Sequence, residues 1–481
     1  MDRRHFLHTG AVATAALAVL SSAPEAGAAQ KKGVNVNPRG RARLKIGILS
    51  DVHVVDADGL VWLDKALRHF RGKDVDGVII SGDMSDWGTE SQLRLVRGAW
   101  DKVFPSDRGI GGRKVERLFV TGNHDVLAPD VKYLKGKDIP LSEFFCLQKE
   151  EMWQRVFDEP YEPIWKKEVG GYTFIGAQYA DGKTIPGLEE FLAGAGVKGD
   201  KPFFYIQHMH PAGTCSGPWV FGQDNGEVTR ILSGYPNAVA ISGHSHTSLT
   251  DDRTMWQGAF TSIGAASLSY ILPFGGRENT KLCMSKEKVP SQMKVHKFFD
   301  GQHGSLMTVY DNCLVVDKME FHNGDELGRW VVPVPFASPL SFECRAGYYA
   351  VPQFSKDASS AIRLSRAPGE DRYKNPEDQV SVFFPTVTGA PAESVDVPVR
   401  AFDYEVCVEM EDFDTVKTIC TKRVLSVGYH LASARDLADV CCVFAVRELS
   451  SYRRWRFAIR PCNCYGVKGD PIYSPWQDPV V

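Results

Sequence analysis

The stretch LKIGILSDVH, Leu44 to His53, is an apolar run that breaks off at an aspartate and a histidine two positions apart. A short apolar run ending in polar residues is the pattern of a buried strand that opens into a site at its C-terminal end. The same form recurs along the chain: GVIISGDMSD (Gly77–Asp86), RLFVTGNHD (Arg117–Asp125), YTFIGAQY (Tyr172–Tyr179), PFFYIQH (Pro202–His208) and NAVAISGHSH (Asn237–His246). Between the first runs, Leu60, Leu63, Leu67 and Phe70 fall at helical spacing, and SQLRLVRGAWDKVF reads as a second helix. Strands alternating with helices predict an α/β domain with parallel pairing.

In a parallel sheet the strand C-termini lie along one edge, where α/β proteins place their sites. Five such ends would deliver Asp51, His53, Asp83, Asn123, His124, Asp125, His208, His244 and His246 to one region, with Asp86 beside them. Asp51/His53 and His244/His246 are i, i+2 pairs. An extended chain would point both members of each pair the same way. Carboxylate and imidazole are donors suited to Mn, Fe or Zn. Two such ions about 3.5–4 Å apart clamp phosphate oxygens and lower the pKa of water. An aspartate can bridge two ions if each carboxylate oxygen takes one. His210 in QHMHP rivals His208, but His208 follows directly on the apolar run. Asp86 is also open to reading as a plain turn residue.

Taken in order, Asp-x-His, Gly-Asp, Gly-Asn-His-Asp, a lone His and Gly-His-x-His resemble the pattern of the calcineurin-like metallophosphoesterases. The resemblance runs from Leu44 to Tyr270 and on toward Pro335. It implies a β-sandwich flanked by helices that hydrolyses phosphate esters by attack of metal-activated water. It further implies that Asp51, His53 and His246 hold one ion, that Asn123, His208 and His244 hold the second, and that Asp83 bridges them. His124 would face the substrate as a catalytic residue, and Asp125 would hydrogen-bond and orient it. Purple acid phosphatases carry tyrosine where this chain has Asp86, so GDMSD resembles the phosphodiesterase-type members more. The residues named are shared by monoesterases and diesterases.

Upstream, Arg3-Arg4-x-Phe6-Leu7, a short Ala/Val/Leu run and Ala26-Gly27-Ala28 have the layout of an export signal. It resembles the twin-arginine type. This predicts a signal over residues 1–29, a basic linker over 30–43, and a periplasmic or extracellular protein that engages the twin-arginine export machinery. No later apolar run is long enough for a membrane helix, so no transmembrane anchor is expected after signal removal.

A catalytic domain is expected over 44–337. Gly304–Pro335 alternates like antiparallel strands that complete it. Beyond PVPFASPL the pattern turns to short strands without long helices, for example QVSVFF, DYEVCVEM and RWRFAIRPCNCYG. An all-β sandwich over 338–481 follows, weakly resembling a fibronectin type III module. The formal charge of the 481 residues is −3, so no basic field predicts a stable nucleic-acid partner. Eleven cysteines, nine from Cys283 onward and none in a Cys-x-x-Cys pair, read as buried free thiols rather than a zinc ribbon. Trp153, Trp165, Trp219 and Phe221 read as packing rather than a substrate wall. The connection Pro129–Pro163 would form a lid or wall over the site. The alternative to an enzyme is an extracytoplasmic binding protein that uses its sandwich beside a vestigial metal site.

Overall fold

A computed structural model of the chain describes residues 36–480 except 135, 216–221, 273–297, 336–350, 372, 392–397, 427 and 432–438. The signal, residues 30–35 of the linker, Trp219, Phe221 and the expected boundary at 337/338 lie outside the described residues.

The first sheet begins with β1 (Leu44–Leu49), α1 (Val61–Gly72), β2 (Gly77–Ser81), α2 (Glu90–Val103) and β3 (Glu116–Val120). β1, β2 and β3 pair in parallel. A helical stretch α3 (Lys149–Phe157) leads to the second sheet. That sheet is built from β4 (Ile164–Val169), β5 (Tyr172–Ala177), α4 (Leu188–Gly194), β6 (Phe203–Ile206), α5 (Glu227–Leu232), β7 (Ala238–Ser242), β8 (Met255–Gln257) and β9 (Thr261–Gly264). Its order is β4-β5-β6-β7-β9-β8, with the inner four strands parallel. The chain then returns to the first sheet with β10 (His303–Val309), β11 (Cys313–Glu320) and β12 (Asp325–Pro333). These antiparallel strands complete the order β12-β11-β10-β1-β2-β3.

Both faces of the two sheets are covered, which is why their strands read as continuous apolar runs rather than as alternation. Ile46, Ile48, Ile79, Leu118 and Val120 point into the core between the sheets, against Phe174, Phe204, Ile206, Val239 and Ile241. Val78, Ile80 and Phe119 point the other way, onto Leu67, Phe70, Trp100 and Trp153 of the helices. Ile175, Tyr205 and Ala240 face Leu188, Leu192, Val228 and Leu232 in a third core. The result is four layers, helix–sheet–sheet–helix. Phe145, Trp153 and Phe157 are buried in the helix-side core with Tyr161 packed against them. The Pro129–Pro163 connection therefore spends its aromatic clusters on packing, and the expected lid is not built from them.

The C-terminal part contributes β13 (Arg363–Glu370), β14 (Pro376–Phe384), β15 (Thr388–Pro391), β16 (Pro398–Arg400), β17 (Asp403–Asp412), β18 (Thr415–Leu425), β19 (Val440–Ala445), β20 (Trp455–Cys462) and β21 (Ile472–Tyr473). A three-stranded sheet, β13-β14-β19, lies against a four-stranded one, β18-β17-β20-β21. Alternate residues Val380, Val382 and Phe384 meet Tyr404, Val406, Val408, Phe457 and Ile459 in one core. Cys146, Cys215, Cys313, Cys407, Cys420, Cys441, Cys442 and Cys464 are free thiols. Among the described residues no helix is long and apolar enough to cross a membrane.

Candidate metal centre

The ends of β1, β2, β3, β6 and β7 converge at one edge of the facing sheets. The i, i+2 pairs do not sit on extended chain there. The strands stop at Leu49 and Ser242, and Asp51, His53, Asp83, His244 and His246 all have left-handed backbones, with φ between 49° and 67°. This corrects the extended-chain expectation. Such backbones cost about 1–2 kcal/mol each, and hydrogen bonds between neighbouring tips hold them. Asp51 N–H donates to Gly82 O, His53 N–H to Asp83 O, and His244 N–H to the Asp51 carboxylate. Two motif glycines permit the approach. A Cβ on Gly122 would collide with Asp83, and one on Gly243 with Ser50 and Asp51.

The side chains form two clusters that meet at one atom. In the first, His246 Nε2 lies 3.0 Å from Asp51 Oδ1 and 3.2 Å from His53 Nε2. His53 Nε2 is also 3.7 Å from Asp83 Oδ2. In the second, His208 Nε2 lies 3.2 Å from Asp83 Oδ2, 3.0 Å from Asn123 Oδ1 and 3.1 Å from His244 Nδ1. Asp83 Oδ1 accepts the His124 N–H at 2.8 Å, leaving Oδ2 to face both clusters. Oδ2 is thus the Asp83 atom that lies near both His53 and His208.

The outer nitrogens determine what the inner ones can do. His53 Nδ1 donates to Asp86 Oδ1 at 3.1 Å, His246 Nδ1 to Tyr270 O at 2.9 Å and His208 Nδ1 to Ser81 O at 2.9 Å. Each acceptor has no proton to give, so in the neutral ring the inward nitrogen is a bare lone pair. Burial lowers His208, but the Asp83 carboxylate outweighs it and holds that ring at about 9, so a proton occupies its inward nitrogen until a cation replaces it. With all rings neutral, lone pairs face lone pairs and carboxylate oxygens, and buried Asp51 Oδ1 has no hydrogen-bond donor. Two cations would satisfy this donor set, and imidazole with carboxylate and amide oxygen suits transition metals. Asp51, His53 and His246 lie with their donor atoms within 4.8 Å of one another, as do Asp83, His208 and His244.

The charges follow from this crowding. Burial pushes the Asp51 and Asp83 carboxyls up. Where the neighbouring imidazoles carry a proton, their charge and donated hydrogen, from His246 for Asp51 and His208 for Asp83, more than reverse this, and Asp83 falls to about 2. Burial lowers His244, with a contribution from His208, to about 3. Burial also lowers His124, but the Asp86 carboxylate and the Asp83 charge outweigh it and hold the ring at about 9.

His124 is half-buried at the mouth, its ring edge-on to His53 at 4.5 Å. Its Nδ1 donates to the Asp86 carbonyl at 2.8 Å, with Asp86 Oδ1 3.5 Å away. The expected Asp125–His124 orientation is not what the structure shows. Asp125 is fully buried and accepts from the Met84, Ser85 and Gly122 amides and the Ser85 hydroxyl. Its carboxylate stitches the second strand tip to the third, and Asp86 takes the orienting place. Tyr270 was missed by sequence reasoning. Its ring lies 4.2 Å from that of His246, and only its position at the end of the motif-bearing region marked it. His210 stands apart from both clusters, bonded through Nε2 to Ser245 Oγ at 2.8 Å. Cys215 is buried, which pushes its thiol up to about 12 and rules out an activated thiolate.

Residues 44–248 match the family model described as calcineurin-like phosphoesterase. A search of curated proteins finds no match. Among solved structures, the chain is similar to a dimetal phosphatase from Danio rerio at 13% identity, covering 61% of this chain and 99% of that one, with a TM-score of 0.38. It is similar to a purple acid phosphatase from yellow lupin (Lupinus luteus) seeds at 16% identity, covering 60% of this chain and 53% of that one, with a TM-score of 0.39. An archaeal phosphodiesterase matches at 13% identity over 60% of this chain and 99% of that one, with a TM-score of 0.24.

Proposed function

We propose that this chain, which carries a calcineurin-like phosphoesterase domain and through it is a hydrolase of phosphoester bonds, is an exported dinuclear-metal enzyme acting on a phosphate monoester or diester. The carrying observation is the convergence of two inward-facing donor clusters on Asp83 Oδ2. Asp51, His53 and His246 would hold one ion, and Asn123, His208 and His244 the other, with Asp83 between them. When bound, the pair of cations offsets the charge of the phosphate and makes a water molecule nucleophilic near neutral pH.

The chain's own residues do the rest. Asp86, Tyr270 O and Ser81 O fix the imidazole tautomers, so that the rings need no change of tautomer to bind. His124 has its Nδ1 hydrogen committed to the Asp86 carbonyl. Its Nε2 is then the position from which a proton passes to the departing ester oxygen. Export is supported by the Arg3-Arg4-x-Phe6-Leu7 stretch and the small-residue exit that follows it. The packing of three strands against four supports a fibronectin type III-like C-terminal domain.

The test is hydrolysis of a chromogenic monoester and a chromogenic diester with Mn or Zn, for the wild type and Asp83→Ala. Metal-dependent turnover of either substrate by the wild type, lost in the variant, is the expected result. Equal background rates throughout would overturn the reading and favour the binding-protein alternative.

A further inference from the structure

Behind the Asp51/His53/His246 cluster lies a buried histidine that touches none of its members. His303 opens β10 and is fully buried. Its Nε2 lies 3.0 Å from the carbonyl oxygen of His430, which can only accept, so Nε2 carries the hydrogen. Nδ1 is then the acceptor, and it takes the Leu249 N–H at 3.2 Å, with Ser248 Oγ 3.4 Å away. The His303 backbone N–H donates to Ser267 O at 2.8 Å. Ser267 Oγ in turn donates to Asp51 O at 3.1 Å. The His303 ring thus supports the chain three positions beyond His246, while its backbone N–H, which any residue there would keep, reaches Asp51 through Ser267.

The far partner belongs to the C-terminal sandwich half. His430 is itself held, its ring stacked on Phe298 at 4.1 Å and its Nε2 2.9 Å from Asp300 Oδ1. A second tether runs parallel. Asp252 Oδ2 accepts the Tyr465 hydroxyl at 2.9 Å and Asp252 Oδ1 accepts Trp330 Nε1 at 2.6 Å. Arg253 lies over the Phe402 ring at 4.7 Å. Every residue of the loop from Thr247 to Thr254 is buried. Burial holds the His303 ring neutral, its pKa well below the usual value. Of the two neutral tautomers, only the one with hydrogen on Nε2 serves both the donor at Leu249 and the acceptor at His430.

We propose that His303 is a positioning residue through which the C-terminal sandwich holds the Asp51/His53/His246 cluster in its ion-binding arrangement. This rests on the dinuclear reading above. Groups that orient metal ligands from behind change metal affinity by about 10–100-fold when removed, and His303, itself on β10, ties the chain beyond His246 to the C-terminal half through the His430 carbonyl.

Three substitutions in the full chain separate its two bonds. His303→Asn keeps an acceptor near the Nδ1 position, His303→Gln keeps a donor near the Nε2 position, and His303→Ala keeps neither. Mn2+ binding is read by equilibrium dialysis with elemental analysis. Val382→Ala, a core change in the sandwich away from the contact, serves as the stability control. The wild type is expected to bind two ions. His303→Ala is expected to weaken one of them by about tenfold or more, leaving the other intact, and Val382→Ala to lower the melting temperature without moving either. Should the alanine variant fail to fold, the asparagine and glutamine variants decide. Weakened binding of one ion in either supports the proposal. Wild-type affinity for both ions in every folded His303 variant overturns it while leaving the dinuclear reading standing. A wild type that binds no metal overturns that reading, and this inference with it.

Discussion

His53 Nε2 and His246 Nε2 stand 3.2 Å apart with no proton between them, because each ring has its hydrogen on the other nitrogen, committed to Asp86 and to Tyr270 O. A proton on one ring or a metal ion between them relieves this contact, and the metal ion serves all the donors at once. Removing metal should therefore destabilise the native state. A ligand at a hundred times its dissociation constant contributes about 2.7 kcal/mol per site. Thermal unfolding with a chelator should give a melting temperature several degrees below that of protein dialysed against Mn or Zn. An unchanged transition would mean that the cluster tolerates its own repulsion.

Asp86 serves two rings, and its side chain and backbone can be separated. The side chain orients His53 and its charge helps keep His124 protonated, whereas the carbonyl orients His124. Asp86→Ala should lower kcat/KM by about 10–100-fold. Asp86→Asn, whose amide oxygen still accepts from His53 Nδ1, should recover the part due to ring orientation, with the pH at which activity falls on the alkaline side moved down because His124 loses the Asp86 charge. Steady-state kinetics at saturating metal decide this, and equal losses in both variants would assign the effect to charge instead of ring orientation.

Asp125 behaves differently because its hydrogen bonds go to three backbone amides and the Ser85 hydroxyl and not to the candidate ligand side chains. Each buried donor stranded by Asp125→Ala costs about 1–3 kcal/mol. The variant should show a large fall in stability by denaturant unfolding. Its folded fraction should keep more activity than Asp83→Ala.

The contrast between Asp86 and Asp125 marks how far the sequence could be read. The apolar runs at Ile46–Leu49, Val78–Ile80 and Ala238–Ile241 state their own burial, because a strand covered on both faces has no other composition. The alternation in Val380, Val382 and Phe384 likewise announces a sandwich strand. The strand tips could be located from the same runs. The direction of each tip side chain could not, because Asp51, His53, Asp83, His244 and His246 leave their strands through left-handed backbones that no periodicity encodes. Asp125 and Asp86 therefore exchange the parts that motif order suggested. His303 and His430 carry no local pattern at all, since their partners lie 54 and 127 positions away.

Gly122 packs directly against Asp83. It lies where a side chain would run into the Asp83 carboxylate and amide. Gly122→Ala should displace Asp83 Oδ2 from its place between the two clusters. Displacements of about 1 Å at a reacting centre cost on the order of a hundredfold in rate. Turnover should fall by at least that much, and crystals of the variant should show the carboxylate moved. Wild-type turnover would indicate that Asp83 can reach both clusters from another rotamer.

The buried pair Asp251–Arg253 sits in the loop that His303 supports. Arg253 donates through Nε and Nη2 to the Asp251 carboxylate, with Nη2 at 2.6 Å, and both residues are almost wholly buried. Truncating one member leaves a charge in the interior without its partner. The usual cost is about 3–5 kcal/mol, whereas replacing both with apolar residues of like volume is often tolerated. Asp251→Ala should therefore lower unfolding stability by about that amount, and an Asp251→Leu/Arg253→Met double variant should be closer to wild type. If the pair serves only stability, the double variant will also recover turnover. If the charges help to hold the loop beyond His246, stability will return and turnover will not, and measuring both on the same preparations separates the two.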